Sequence, residues 1–349
     1  MRLCQNLENG FILCWNKEKF LNIKEVSTKK EMEEIGGYFE LENFSRHEYH
    51  ENAIKLNCGR HCLTYLVEIY EIKKIYLPLF CCNSIQCFKR YFPDVEICFY
   101  KINEDFTPII PENFSSFNDW FYLVNFYGQL SNQFIKSFHK SVPNLILDNA
   151  QNFFAMPILD IPTIYTCRKY FGVSDGAYLY CNKKIERVME QDISYKRMNF
   201  VLGRYELSAN EFYEEASRNN EFFDNAPLKK MSKLTENLLR GINYEKAKRK
   251  RIENFKYLEK NLSKINLLKN LKMGTFAYPL LLKNGAEIRK KLQLEKIYIP
   301  TLWPDVLEIC DEMSIEYKYA KNILPIPCDQ RYGKEEMDFV IKNLIEALI

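Results

Sequence analysis

From Asn57 onward the chain switches repeatedly between two hydrophobic rhythms. "RHCLTYLVEIYEI" (60–72) spaces its apolar residues at three and four, the period of a helix face. "KIYLPLF" (74–80) is a continuous apolar run, as a strand buried on both faces requires. The alternation continues with a helix at "SIQCFKRYF" (84–92), a strand at "EICFYKI" (96–102) and a strand at "WFYLVNFYG" (120–128). It goes on with a helix at "QFIKSFHKS" (133–141), a strand at "NLILDNA" (144–150), and two more at "TIYTCRK" (163–169) and "GAYLYCN" (176–182). Strands alternating with helices at this spacing predict an α/β domain with a largely parallel sheet. Beyond about residue 185 the pattern turns helical, at "ANEFYEEASRNNEFF" (209–223) and in a long amphipathic stretch from Ser232 to Leu262. The tail changes again: "TFAYPLLL" (275–282) and "KIYIPTLW" (296–303) read as strands, "AEIRKKLQ" (286–293) and "KEEMDFVIKNLIEAL" (334–348) as helices. This predicts a smaller α+β domain closing on the large one. The expected division is an N-terminal extension over 1–35, packing on the large domain, a large domain over 36–230, and a linking helix with a small domain over 231–349. Within the extension, "STKKEMEEIGG" (27–37) reads as a capped helix ending at Gly36–Gly37.

Composition bounds the function classes. With 349 residues, 47% of them hydrophobic, the chain can bury a large core. A net charge of +3 with dispersed basic residues gives no nucleic-acid footprint, except at "KAKRKR" (246–251). That run alternates with apolar positions, so it reads as a solvated helix face, with a nucleic-acid patch as the alternative. No apolar run approaches the ~18 residues that span a bilayer. The stretch "MRLCQNLENGFILCW" lacks a basic region followed by an apolar core. Cytoplasmic placement with its twelve cysteines reduced is therefore the expectation. Cys58, His61 and Cys62 do not have the spacing of a metal site, so no metal is expected.

Chemistry in an open α/β sheet collects at the carboxyl ends of its strands. Three signals lie there. "NCGRH" (57–61) puts Gly59, Arg60 and His61 at a helix start, where backbone amides and a guanidinium suit an anion, or where an ordinary helix begins. Asp148 ends an apolar strand, either as a turn residue or as the partner of a buried cation such as a protonated pyridine nitrogen. Lys169 follows in a glycine-bearing loop, either as a surface lysine or as a nucleophilic amine for an aldehyde. Phosphate cradle, carboxylate and amine together are the anchors that pyridoxal 5'-phosphate needs.

With these residues assembled, the chain resembles the DegT/DnrJ/EryC1/StrS aminotransferases, the sugar-aminotransferase branch of the fold-type I pyridoxal-phosphate enzymes. "GGYFELE" (36–42), "LNCGRHCLTYL" (56–66), "YLPLFCCNS" (76–84) and "VNFYGQ" (124–129) carry part of the resemblance. "LILDNAQNFF" (145–154), with its Asp-x-Ala-Gln, and "RKYFGVSDGAYLY" (168–180), with a glycine seven residues after the lysine, carry the more specific part. The C-terminal segments containing "YPLLL", "IPTLW" and "LPIPCDQRYGKEEM" complete it.

The resemblance implies a mostly parallel seven-stranded sheet flanked by helices, plus a smaller C-terminal α+β domain. It implies that Asp148 pairs with the pyridinium nitrogen and Gln151 bonds the phenolic oxygen. Lys169 would join the cofactor aldehyde and then move protons, while the amides of Gly59, Arg60 and His61 hold the phosphate. Thr166 would stand in for the family's serine ahead of the lysine. It further implies a homodimer acting on small molecules, with an amino donor such as glutamate and a keto acceptor such as a nucleotide-linked sugar for surface glycans, and no nucleic-acid or membrane partner. Lysine at 169 argues against the family's dehydratases, which carry histidine there. The sequence departs from the family in three places. Cys81 and Cys82 occupy the region of the ring-stacking aromatic, for which His61 is a possible substitute. Only Thr166 can replace the serine, and Lys229–Ser232 offers no asparagine to reach a neighbouring subunit. A non-catalytic descendant that keeps the fold as a binding or regulatory module is the alternative.

Overall fold

The computed structural model describes residues 35–349. The helix expected over 27–37 and the extension over 1–35 lie almost wholly outside the described residues. Residues 35–42 belong to a separate short unit with no regular element, in which Gly36 and Gly37 take φ of +89° and +99°.

Residues 43–349 are built around a seven-stranded sheet. Its strands are β1 (Ile54–Leu56), β2 (Lys74–Pro78), β3 (Glu96–Tyr100), β4 (Trp120–Val124), β5 (Leu145–Asp148), β6 (Thr163–Thr166) and β7 (Ala177–Tyr180). Their order is β1-β7-β6-β5-β4-β2-β3. Strands β2 to β6 run parallel, β7 is antiparallel to β6, and β1 is antiparallel to β7. All four residues of β5 and of β6 are buried, because helices cover both faces of a parallel sheet. The register sets Val124 beside Asp148 and Asp148 beside Ile164, so three strand ends open side by side.

The flanking helices α1 (Gly59–Tyr70) and α2 (Asn132–Ser141) fall where the periodicity placed them. The stretch at 84–92 is helical, but as a 3-10 helix over Asn83–Arg90. Its buried residues Ile85 and Phe88 stand three apart, the period of that tighter helix. After the sheet come α3 (Asn199–Glu206), α4 (Tyr213–Asn225), α5 (Lys233–Arg240) and α6 (Tyr244–Leu262). The single amphipathic stretch expected from Ser232 to Leu262 is thus two helices, parted where Gly241 closes α5 and the Asn243 side chain caps α6.

The C-terminal segment carries β8 (Ala277–Leu281), α7 (Gly285–Leu294), α8 (Val306–Ile309), α9 (Ile315–Asn322), β9 (Ile323–Pro327) and α10 (Lys334–Leu348). Here one expectation is corrected: "KIYIPTLW" is not a strand. Lys296 and Trp303 at either end have left-handed φ of 60° and 58°, Pro300 has no donor, and β8 pairs instead with β9. This second sheet has its own core of α6, α7, β8, β9 and α10 side chains, among them Leu258, Leu280, Ile288, Ile326 and Leu344. Among the described residues no helix is long and apolar enough to cross a membrane.

Candidate active site

A cavity of about 250 Å³ opens at the carboxyl ends of β4, β5 and β6. Gly59, Arg60, Asp148, Gln151, Thr166 and Lys169 all line it, so six of the seven residues picked from the sequence meet in one place.

Asp148, the last residue of β5, is 7% exposed and bonded through both oxygens. The Ala150 amide donates to Oδ1 at 2.7 Å, and the Tyr122 hydroxyl donates to Oδ2 at 2.8 Å. Burial pushes the carboxyl above its ordinary range, while the Lys169 charge and these two donors pull it back. A buried carboxylate held this way favours a cation in the cavity beside it.

Gln151 is positioned by backbone strain. Tyr127 sits in the left-handed region at φ 53°, just before Gly128 at φ 74°. This turns the Tyr127 amide toward Gln151, whose Oε1 accepts it at 2.7 Å. An N–H can only face the amide oxygen, so Nε2 is the other atom. Gln151 is 1% exposed and its Nε2 has no hydrogen-bond partner. A buried donor left orphaned in a residue that lines a cavity is a candidate partner for a ligand acceptor.

The cradle lies at the start of α1. Cys58 precedes the helix with no side-chain cap, and Cys58, Gly59 and Arg60 face the cavity with buried Thr166. A Cβ added at Gly59 would make only ordinary contact with Thr166, at 3.6 Å. Arg60 forms an ion pair with Asp224, and its Nη2 donates to Asn220 at 3.3 Å. His61 does not join the site. Its amide donates to the Cys58 carbonyl at 3.1 Å, and its Nδ1 pairs with Asn57 Oδ1 at 2.7 Å. Burial drops its imidazole to about 4. It sits behind the α1 start and is not among the residues that line the cavity.

Lys169 is exposed, with Nζ 5.6 Å from the Phe276 ring centre. The protein alone leaves this residue in contact with solvent. Its loop is held firmly on the far side: the Tyr170 carbonyl accepts from Arg251 Nη2 at 3.1 Å and Gln330 Nε2 at 2.8 Å. Arg251 also donates to Gln330 Oε1 and to the Thr275 carbonyl, both at 2.6 Å, and it is 2% exposed. The basic run at 246–251 is therefore not wholly a solvated face, since its last residue is buried. Gly176 closes the loop at φ +113°, where a Cβ would stand 3.0 Å from Thr235 Cγ2.

The sequence reading missed several cavity residues. Tyr122 faces inward from β4, and the apolar run of that strand gave no sign of its role. Cys81 and Cys82, which the sequence had set in this region, also line the cavity; a hydrogen bond from the free Cys81 thiol lowers that of Cys82, outweighing burial, and Ser84 Oγ lies 2.9 Å away. Arg168 and Asn220 meet there at 2.8 Å. Leu302 and Trp303 enter from the C-terminal segment. Among the described lining residues the aromatics are Tyr122 and Trp303.

No family model matches the chain, and no curated protein matches it. Solved structures do. NtdA from Bacillus subtilis with bound cofactor PMP superposes with a TM-score of 0.58 at 13% identity, over 87% of this chain and 78% of that one. The sugar aminotransferase CalS13 from Micromonospora echinospora gives 0.56 at 10% identity, over 85% and 88%. A DegT DnrJ EryC1 StrS aminotransferase from Brucella abortus gives 0.56 at 12%, over 84% and 85%. The fold is that of the sugar aminotransferases. At these identities the likeness is one of architecture, and the chemistry has to be read from the cavity itself.

Proposed function

We propose that the chain is a pyridoxal-phosphate-dependent aminotransferase. The observation that carries this reading is the orphaned Gln151 Nε2 in the same cavity as buried Asp148 and the Lys169 amine. The fit is residue by residue. Asp148 would face the ring nitrogen, Gln151 Nε2 would donate to the phenolic oxygen, and the Gly59 and Arg60 amides with Thr166 would hold the phosphate. When bound, the cofactor supplies an electron sink that stabilises negative charge at the substrate carbon. The protein's part is then electrostatic and positional. Asp148, restrained by Tyr122 and Ala150, would favour a proton on the ring nitrogen. Lys169 would supply the amine that attaches the cofactor and a group able to take up and give back a proton. Filling the cavity would also remove water from Lys169, which the protein alone leaves exposed.

Glutamate as donor, a keto group of a nucleotide-linked sugar as acceptor, a role in surface glycans and a cytoplasmic homodimer belong to the same proposal. So does the division into a cofactor domain over 36–230 and a small domain from 231. Support for the sugar comes from the fold neighbours. The test is spectroscopic. Wild type given the cofactor should show the visible band of lysine-bound pyridoxal phosphate, and Lys169→Ala should lack it; equal spectra would refute the assignment. Glutamate should then bleach the band, whereas a band that persists would support the binding-module reading, for which Cys81 and Cys82 in place of a stacking ring speak.

A further inference from the structure

Two arginines, Arg60 and Arg168, line one end of the cavity, a third, Arg197, shares the Phe223 ring with Arg168 behind it, and their partners are unequal. Arg60 is neutralised by Asp224, and Arg197 by Asp192 at 2.9 Å. Arg168 has no carboxylate partner among the described residues. Its Nη2 donates to the neutral Asn220 Oδ1 at 2.8 Å, and its guanidinium lies 4.7 Å from the centre of the Phe223 ring. Its Nε is buried and makes no hydrogen bond. The Asp175 charge favours the Arg168 cation from a distance, but no ion pair forms, and the Asp175 oxygens are occupied by Ser232 and Thr235. A half-buried cation with no carboxylate partner is costly, and it is retained where an anion shares the space. The space is defined: Arg168 lines the cavity with the α1 start and Thr166, while Gln151 Nε2 waits unpaired on the same wall system.

We infer that Arg168 is the cation of a phosphate-monoester site at the α1 end of the cavity, supplying charge and a hydrogen-bonding fork from within one protomer. This rests on the pyridoxal-phosphate reading for the identity of the monoester. Geometry favours Arg168 over Arg60 for the task, because the Arg60 charge is already cancelled. Asn220 and Phe223, both on α4, fix the guanidinium plane. The neutral cap that Thr166 offers then needs no partner from Lys229–Ser232, where the Ser232 hydroxyl caps α5 and Lys229 pairs with Glu190 at 2.7 Å.

The test compares wild type, Arg168→Gln and Arg168→Lys, each titrated with pyridoxal 5'-phosphate and with pyridoxal, which lacks the phosphate. Thermal melting with inorganic phosphate is run alongside. Expected is a loss of about 10- to 100-fold in pyridoxal-phosphate affinity for Arg168→Gln, a smaller loss for Arg168→Lys, and unchanged pyridoxal binding. Phosphate should raise the melting temperature of wild type and leave Arg168→Gln unmoved. Equal weakening of both ligands, or no weakening, overturns the inference while leaving the cofactor reading intact. Phosphate stabilisation that depends on Arg168, in a wild type that takes no pyridoxal phosphate, sinks the cofactor reading and upholds the anion site. If Arg168→Gln does not fold, the Arg168→Lys comparison decides by the same two ratios.

Discussion

Replacing Gln151 tests the site most directly, because its two amide atoms do different jobs. Oε1 accepts the strained Tyr127 amide at 2.7 Å, and Nε2 has no partner. Gln151→Glu keeps an oxygen for Tyr127 and exchanges the orphaned donor for an acceptor. Gln151→Met removes both. The donor toward a charged phenolic oxygen is worth about 1.5–3 kcal/mol, or about 10- to 150-fold in affinity, and an opposing carboxylate oxygen adds repulsion. Both variants should therefore bind pyridoxal phosphate at least tenfold more weakly than wild type. Their stabilities should differ, since Met leaves the buried Tyr127 amide unsatisfied at about 1–3 kcal/mol while relieving the orphaned donor. The pH dependence separates them further. Protonating the carboxylate that Gln151→Glu introduces restores a donor, so the affinity of that variant should recover toward acid relative to Gln151→Met. Fluorescence titration across pH measures this. Affinity for Gln151→Glu within about threefold of wild type at neutral pH would refute the reasoning.

Asp148→Asn should raise the melting temperature of the cofactor-free protein at neutral pH. The carboxyl is raised by burial, so the folded state holds its proton more tightly than the unfolded chain does, and stability falls as pH rises from 3.8 through the folded value. Melts at pH 4 and pH 8 should show the variant's advantage only at the higher pH, together with more than tenfold weaker cofactor binding. Arg251→Met should cost about 2–5 kcal/mol in urea unfolding, because the Thr275 carbonyl loses its 2.6 Å donor and Tyr170 keeps only Gln330. His50, buried and lowered to about 4, stays neutral with Nε2 donating to the Phe153 carbonyl at 2.8 Å. The unfolded chain binds its proton first, so stability should drop by up to ~3 kcal/mol as pH falls from 6.5 to 4. His50→Gln should flatten that slope in acid melts.

The parts of the site legible in the sequence are those fixed by local chemistry. Asp148 and Gln151 follow a buried strand at a set spacing, and Lys169 heads a loop ended by a glycine whose φ of +113° excludes other residues. The sheet was legible for the same reason, since Leu145–Leu147 of β5 and Ile164–Tyr165 of β6 form the buried apolar runs that a covered sheet requires. β1 was not, because three residues with a lysine at the centre carry no pattern. Long-range packing hid the rest. Arg168 gains meaning only when Asn220, fifty-two positions on, folds against it. Arg251 looked like one more charge on a wet face until Tyr170 and Thr275 enclosed it. "KIYIPTLW" had the composition of a strand, and β9 took its place beside β8.

The double grip on the Tyr170 carbonyl joins the peptide next to Lys169 to α6 through Arg251 and to the segment after β9 through Gln330. The Lys169 loop is thereby tethered to the smaller sheet's scaffold. Any swing of that scaffold strains the tether, so a closing motion triggered by substrate would be felt as a tug on the amine.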